Sequence, residues 1–224
     1  MRKAFLFLLL CAFALQSHAQ SYKDSIALFR EQYRDSFLTD AHSPLKAADT
    51  SFLRFYSVDH AYCMVATLAL TKDAKPFAIQ THSGKTKNYI EYGLLSFKLH
   101  GKKYALHVYQ GIDLIAKDPK FKDYLFIPFT DETNYTETFG GGRYIDLSVK
   151  DIKSNKIILD FNKCYNPYCA FADGYSCPIP PQRKFSACKD QGRGKIVWEA
   201  RVKFPAETRR KTLILLCRKM VSFI

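Results

Sequence analysis

The stretch Gly140–Pro181 reads GGGRYIDLSVKDIKSNKIILDFNKCYNPYCAFADGYSCPIPP, and its reading decides the fold. Tyr144 to Val149 alternates apolar and polar residues, the period of a half-buried strand. Ile157 to Phe161 is a continuous apolar run closed by Asn162, a second strand of the more buried kind. Gly140-Gly141-Gly142 stands before the first of these, where residues without a Cβ permit a tight positive-φ turn or a bulge. The alternative is a phosphate-cradling loop, but no helix follows and the Lys-Ser/Thr of such loops is missing.

Working upstream, the same strand character recurs. Tyr62–Leu70, Phe77–Thr81, Tyr89–His100, Tyr104–Tyr109 and Tyr124–Phe129 are short apolar or alternating runs with turn residues between them. Gly101-Lys102 between two of them signals a hairpin. Pro128 marks its strand as an edge or a strand end, because proline has no N–H for a ladder. With 14 Tyr and 18 Phe, the composition also favours strands over helices. The expected fold is mainly β, an antiparallel sandwich or barrel-like sheet in a single domain spanning 20–182. Before it, Ser21–Thr39 has Ile26, Phe29, Tyr33 and Phe37 at helical spacing, so an N-terminal amphipathic helix docks on that sheet. His42-Ser43-Pro44-Leu45 ends it, and Phe52–Tyr56 forms a short turn before the sheet.

The two ends differ from the body. Arg2 and Lys3, the apolar Ala4–Leu15 and the small residues of Ser17-His18-Ala19 form the pattern of a secretory signal at 1–19, cleaved after Ala19. The apolar run, about 12 residues, falls short of the roughly 20 that span a bilayer. A secreted or periplasmic protein without a later transmembrane segment is expected. The net charge of +13 invites a nucleic-acid reading. However, residues 183–224 hold 12 basic against 3 acidic residues, and Arg2 and Lys3 supply two more positive charges, which leaves +2 on residues 20–182. No nucleic-acid partner is therefore expected for the body.

The basic tail begins abruptly at Arg183, where strand-like alternation stops. Codons can be chosen for Gln182–Trp198 such that omitting one base after cag gives ENFLPVRIKAGEKLF, a coherent strand-and-turn sequence. A one-base insertion after Gln182 accounts for 183–224, with a natural basic extension as the alternative.

The motifs GGGRYIDL, DFNKCYNPYCAF and YSCPIPP, in this order, resemble the domain of unknown function 1684 family of bacterial proteins. His42-Ser43-Pro44-Leu45, Tyr92-Gly93 with Phe97 and Gly101, and Ile127–Thr133 (IPFTDET) support it, and the resemblance covers about Tyr22 to Pro181. It implies a secreted or envelope protein and brings no substrate, cofactor or catalytic residue with it. Its pattern continues with an acid, Asn, Leu-Pro and Ala-Gly-Glu-Lys, which the shifted frame supplies.

Candidate chemistry lies in the central stretch. Arg143 either clamps a carboxylate or phosphate at a cleft, or pairs structurally with Asp131, Glu132 or Asp160. Asp146 sits on the polar side of its strand. Asp160 and Asn162, two apart, share a face and either build a polar site or fix the turn into Tyr165-Asn166-Pro167. Arg143, Asp146, Asp160, Asn162 and Asn166 are thus the candidate ligand-binding set for an unknown small ligand or envelope partner. The rival is a hydrolase-like enzyme using Asp160 or Cys169 with Arg143 and Asn162. Of 7 cysteines, Cys11 leaves with the signal. The remaining six allow 15 pairings. In an oxidising compartment Cys169 and Cys177 are expected to close their loop as a disulfide. Cys63 and Cys164 are buried thiols or pair with each other. A nucleophilic Cys169 needs a base, and His42, His60, His82, His100 and His107 are all remote in sequence. No metal site or cofactor is expected.

Overall fold

Seven strands form one antiparallel sheet: β1 (Cys63–Leu70), β2 (Phe77–Gln80), β3 (Thr86–Leu99), β4 (Lys102–Gly111), β5 (Tyr124–Phe129), β6 (Arg143–Ser148) and β7 (Lys156–Asp160). These come from a computed structural model that describes residues 2–181, with side chains from Gln20. The order is β6-β5-β4-β3-β1-β7, and β2 pairs with the other half of β3. The sheet is a curled half-barrel flanked by an N-terminal helix.

The expected strands are all present. The β3–β4 hairpin turns at His100 and Gly101, both at positive φ (48° and 77°). The register shifts between Glu91 and Gly93, a bulge that bends β3 so that its two halves meet β2 and β1 separately. A Cβ at Gly93 would stand 2.5 Å from the Ala69 carbonyl oxygen, so the close passage of β1 needs glycine there. The reading of Pro128 is half right. β5 is an inner strand between β4 and β6, but its Cα register with β4 is a single pair, Tyr109↔Phe126. Pro128 stands next to the end of the strand, beyond that pair, where a missing N–H costs the sheet little.

The pleat sorts side chains onto two faces. Leu125, Ile127, Phe129 and Ile145 join Leu95, Phe97, Leu106, Leu159 and Phe161 in the main core. Phe126 and Tyr144, the intervening residues, join Ile79, Tyr89 and Tyr109 in a second, aromatic cluster on the opposite face.

After β7 the chain does not leave the sheet. A 3₁₀ turn at Phe161–Lys163 carries it across the open side, where Tyr144 and Tyr165 exchange both backbone hydrogen bonds at 3.0 Å. The segment 161–165 thus links the outer strand β7 to the outer strand β6. Further on, Ile179 N–H donates to Gln80 O (2.8 Å) and His82 N–H to Cys177 O (3.0 Å), so the end of the described chain lies along β2.

The N-terminal helix, α1 (Arg2–Thr39), ends where the sequence predicts. Ile26 and Phe37 are buried and Phe29 and Tyr33 half-buried, as the stripe requires. Phe37 packs on Tyr168 (5.4 Å between centroids) and Phe171 (5.5 Å). Tyr22, one turn before Ile26, donates its hydroxyl to both oxygens of Asp160 at 3.0 Å. Leu53, in the expected turn before the sheet, is buried. Among the described residues, no helix is long and apolar enough to cross a membrane. The side chains of the expected signal segment and the basic tail with Cys188 and Cys217 lie outside the described residues.

Candidate functional site

Alternation along β6 sends the candidate residues to different places. Arg143 points into the main core and is 2% exposed. Its Nη2 forms an ion pair with Asp131, and Nη1 reaches the Cys164 sulfur at 3.5 Å. Its guanidinium lies over the Phe129 ring, 5.3 Å from the centroid. Asp131 is held in turn by the Thr133 N–H (2.9 Å) and hydroxyl (2.5 Å). Arg143 is therefore the structural ion pair that the sequence allowed, and the Asp131 carboxylate helps hold it in the charged form against burial. The turn before it needs Gly142. Its φ is +91°, and a Cβ there would meet the Phe129 carbonyl oxygen at 2.7 Å.

Asp160 and Asn162 are also built into the frame. Asp160 Oδ1 accepts from Asn162 N–H (2.9 Å), closing the turn as an N-cap. Asn162 Nδ2 donates to Asp59 O (2.8 Å) and to the Tyr22 hydroxyl (2.9 Å), while its Oδ1 accepts from Asp59 N–H (3.0 Å). Both side chains are 5% exposed. They fasten α1 and the entry to β1 onto the end of β7, and they leave no open carboxylate for acid–base work.

The cysteines depart from expectation. All four in the described region are free thiols. Cys169 and Cys177 are neighbours, but the expected disulfide is not formed. Cys177 Sγ accepts from the Cys169 N–H (3.2 Å), and the Cys169 thiol donates to the Tyr175 carbonyl (3.0 Å). Burial pushes the Cys177 thiol up to about 12. A nucleophilic thiol requires the opposite shift. His82, whose backbone N–H donates to the Cys177 carbonyl, packs its ring on Phe139 (5.2 Å). Cys63 and Cys164 do not pair; desolvation raises both thiols. Among the described residues, no three His, Cys, Asp or Glu side chains converge as metal ligands.

Asp146 lies elsewhere. It points from β6 to the aromatic face, into a cleft of about 650 Å³ between α1 and the sheet. Tyr89, Phe126 and Tyr144 form the floor, with Tyr89 stacked on Phe126 (5.7 Å) and Phe126 edge-on to Tyr144 (4.7 Å). Tyr124 Oη donates to Asp146 Oδ1 (2.6 Å), and Tyr165 Oη reaches Oδ1 and Oδ2 (2.8 and 2.7 Å). The carboxylate meets solvent in the cleft, yet it is recessed among rings. That desolvation raises its pKa above the usual carboxylate value, while the two tyrosine hydrogen bonds pull the other way. Phe29 and Tyr33 of α1 form the opposite wall. Asn166 also lines the cleft, 6% exposed, and its Oδ1 has no hydrogen-bond partner.

Of the five candidate ligand-binding residues, the cleft contains Asp146 and Asn166. Arg143 and Asn162, together with Asn166, border a separate cavity of about 30 Å³, room for one water. Asp160 borders neither. The sequence missed Tyr124, Tyr165, Tyr89 and Phe126. The one available signal was the alternation of Tyr124 and Phe126 with Leu125 and Ile127, which marks a strand with a second aromatic face.

A curled antiparallel sheet, closed across its gap by the 161–165 segment and bearing a helix-covered aromatic cleft, is the architecture that these residues define. The chain belongs to the family described as Protein of unknown function (DUF1684), whose pattern it matches over residues 50–185. It is similar to a solution NMR structure of an uncharacterized protein of Haloarcula marismortui. The two are 27% identical, with a TM-score of 0.56 over 74% of this chain and 89% of that one. No curated protein matches the chain.

Proposed function

We propose that the protein is a non-catalytic binding domain that takes a small ligand in the cleft between α1 and strands β3–β6. The observation that carries this reading is the cleft itself: about 650 Å³, with aromatic walls and one recessed carboxylate. That size and lining are those of small-molecule sites, where apolar surface supplies affinity and a few polar groups fix orientation. The hydrolase reading loses support because Asp160 and Asn162 are buried and engaged with Tyr22, Asp59 and each other, while the Cys169 thiol is turned to the Tyr175 carbonyl. In the same proposal residues 1–19 deliver the domain outside the cytosol, on the strength of the basic, apolar and small-residue segments in that order.

The test is a fragment screen by protein NMR on the full chain, with positive, negative and neutral members. Hits are expected to shift signals of Tyr89, Phe126, Tyr144 and Tyr165 together. They are expected to disappear in Ser36→Trp, an exposed α1 position on the cleft that a large ring would fill. A screen with no hit in the cleft, or hits untouched by Ser36→Trp, overturns the proposal.

A further inference from the structure

One charged group of the cleft stands without a counter-ion beside it. Of the groups that line the cleft, only Asp146 and Lys87 carry full charge. Lys87 is exposed on β3, beside the Asp113 carboxylate, which it helps to hold in the charged form. Asp146, also exposed to the cleft, is the charge set among the rings. Its Oδ1 receives both tyrosine hydroxyls and its Oδ2 shares only one of them, so Oδ2 keeps acceptor capacity. Asn166 also lines the cleft, but its unpartnered Oδ1 is buried. The tyrosine hydroxyls at the carboxylate are already committed as donors to it. Asp146 itself therefore has no cationic partner among the described residues, and its remaining acceptor capacity is left to a ligand. Around the same point stand the rings of Tyr89, Phe126, Tyr144 and Tyr33, whose π faces attract cations.

We infer that the ligand is an amine in its protonated form, whose ammonium group sits against Asp146 while an apolar body lies on the Tyr89–Phe126–Tyr144 floor. This rests on the proposal that the cleft binds a small ligand and assigns its chemical class. An ammonium N–H supplies the donor that Asp146 Oδ2 can still accept, and its charge neutralises a carboxylate held in partly apolar surroundings. A carboxylate ligand would meet like charge at the recess, and a neutral alcohol would leave the charge unpaired.

The groups facing Asp146 are Tyr124 of β5, Tyr144 of β6, Tyr165 of the closing segment, Tyr33 of α1, Lys87 of β3 and the Cys177 thiol. Burial raises the hydroxyls of Tyr124, Tyr144, Tyr165 and Tyr33, and the Cys177 thiol, so these stay neutral below pH 9. Loss of amine binding on acidification then reports Asp146 alone.

The experiment compares phenethylammonium, 2-phenylethanol and phenylacetate by NMR titration of the full chain at pH 7.5. Wild type and Asp146→Asn are run side by side. The expected order is amine tightest, by at least tenfold over the alcohol, with phenylacetate weakest. Asp146→Asn is expected to remove that preference and leave alcohol binding within about twofold. Amine affinity should also fall as the pH is lowered through the titration of Asp146. If alcohol and amine bind equally in the cleft, or Asp146→Asn leaves the preference intact, the amine assignment is wrong while the small-ligand reading stands. If none of the three shifts the cleft signals at millimolar concentration, the amine assignment fails. The fragment screen then decides the small-ligand reading separately.

Discussion

At the scale of single residues, Arg143 and Asp146 stand three apart on one strand and play opposite parts. Arg143 is a charge sealed in the core with Asp131 as counter-ion. Removing one member of such a pair strands the other, which costs about 3–5 kcal/mol. Arg143→Met should therefore lower the denaturant midpoint of unfolding strongly, and pairing it with Asp131→Asn should recover part of the loss. Asp146 carries no such debt to the fold. Its pKa is raised in the folded protein, so the folded state holds the proton more tightly than the unfolded chain does. Stability contributed this way is present at acid pH and is lost as the pH rises from the ordinary carboxylate value through the raised one. Asp146→Asn should remove that slope from the pH profile of thermal unfolding. At neutral pH its melting temperature should be equal to or above that of the wild type. A large destabilisation would mean that Asp146 is structural after all.

Legibility in the sequence follows the same division. Arg143 was readable as a structural pair because Asp131 lies in the same region of chain and buried arginines demand a counter-ion. The partners of Asp146 were not readable. Tyr124 and Tyr165 stand 22 and 19 residues away, and only the β5–β6 register and the return of the chain at Tyr165 bring them to one point. Asp160 and Asn162 show the limit of spacing arguments. They share a location as predicted, but what decides their role is Tyr22, 138 residues from Asp160. Cys169 and Cys177 come together without the expected disulfide, and only the local backbone shows that one sulfur is occupied as an acceptor.

At the scale of elements, two attachments can be separated. Tyr22 ties α1 to the end of β7 through Asp160 and Asn162. Tyr22→Phe removes these bonds without opening the core and should cost about 1–2 kcal/mol. Hydrogen exchange should show the loss in α1, with protection in β3 and β4 unchanged; uniform loss would show that helix and sheet unfold as one unit. The β5–β6 connection depends on Gly142. Alanine there meets both a positive φ and a carbonyl oxygen at 2.7 Å, so the variant should lose more than about 1 kcal/mol. The sequence already marked this turn through its glycine triplet, and the β3–β4 hairpin through Gly101. The bulge at Gly93 was beyond it, because that glycine answers to the Ala69 carbonyl of another strand.

At the scale of the whole molecule, the 161–165 segment makes the half-barrel continuous from β7 to β6. If this closure is part of the cooperative unit, the amides of Tyr144 and Tyr165 should exchange as slowly as those of β5, although Tyr165 lies outside any strand. Exchange at a loop rate would show that the closure opens independently. The match to the family ends at residue 185, close to where the basic tail starts. The insertion reading predicts that the gene carries codons for Gln182–Trp198 that yield ENFLPVRIKAGEKLF after omission of the first base after the Gln182 codon. Sequencing decides it, and a chain restored in this way should melt at a higher temperature than the present one.

The pleat of β6 has a consequence for engineering. Tyr144 and Asp146 face the cleft, while Arg143 and Ile145 face the core, so recognition and folding are written on interleaved positions of a single strand. Substitutions on the two faces share few partners, so their free energies should nearly add, whereas substitutions within one face should couple. A library confined to Tyr89, Tyr124, Phe126, Tyr144 and Asp146 can then explore new specificities on a chassis whose foldability is underwritten from the other side of the sheet.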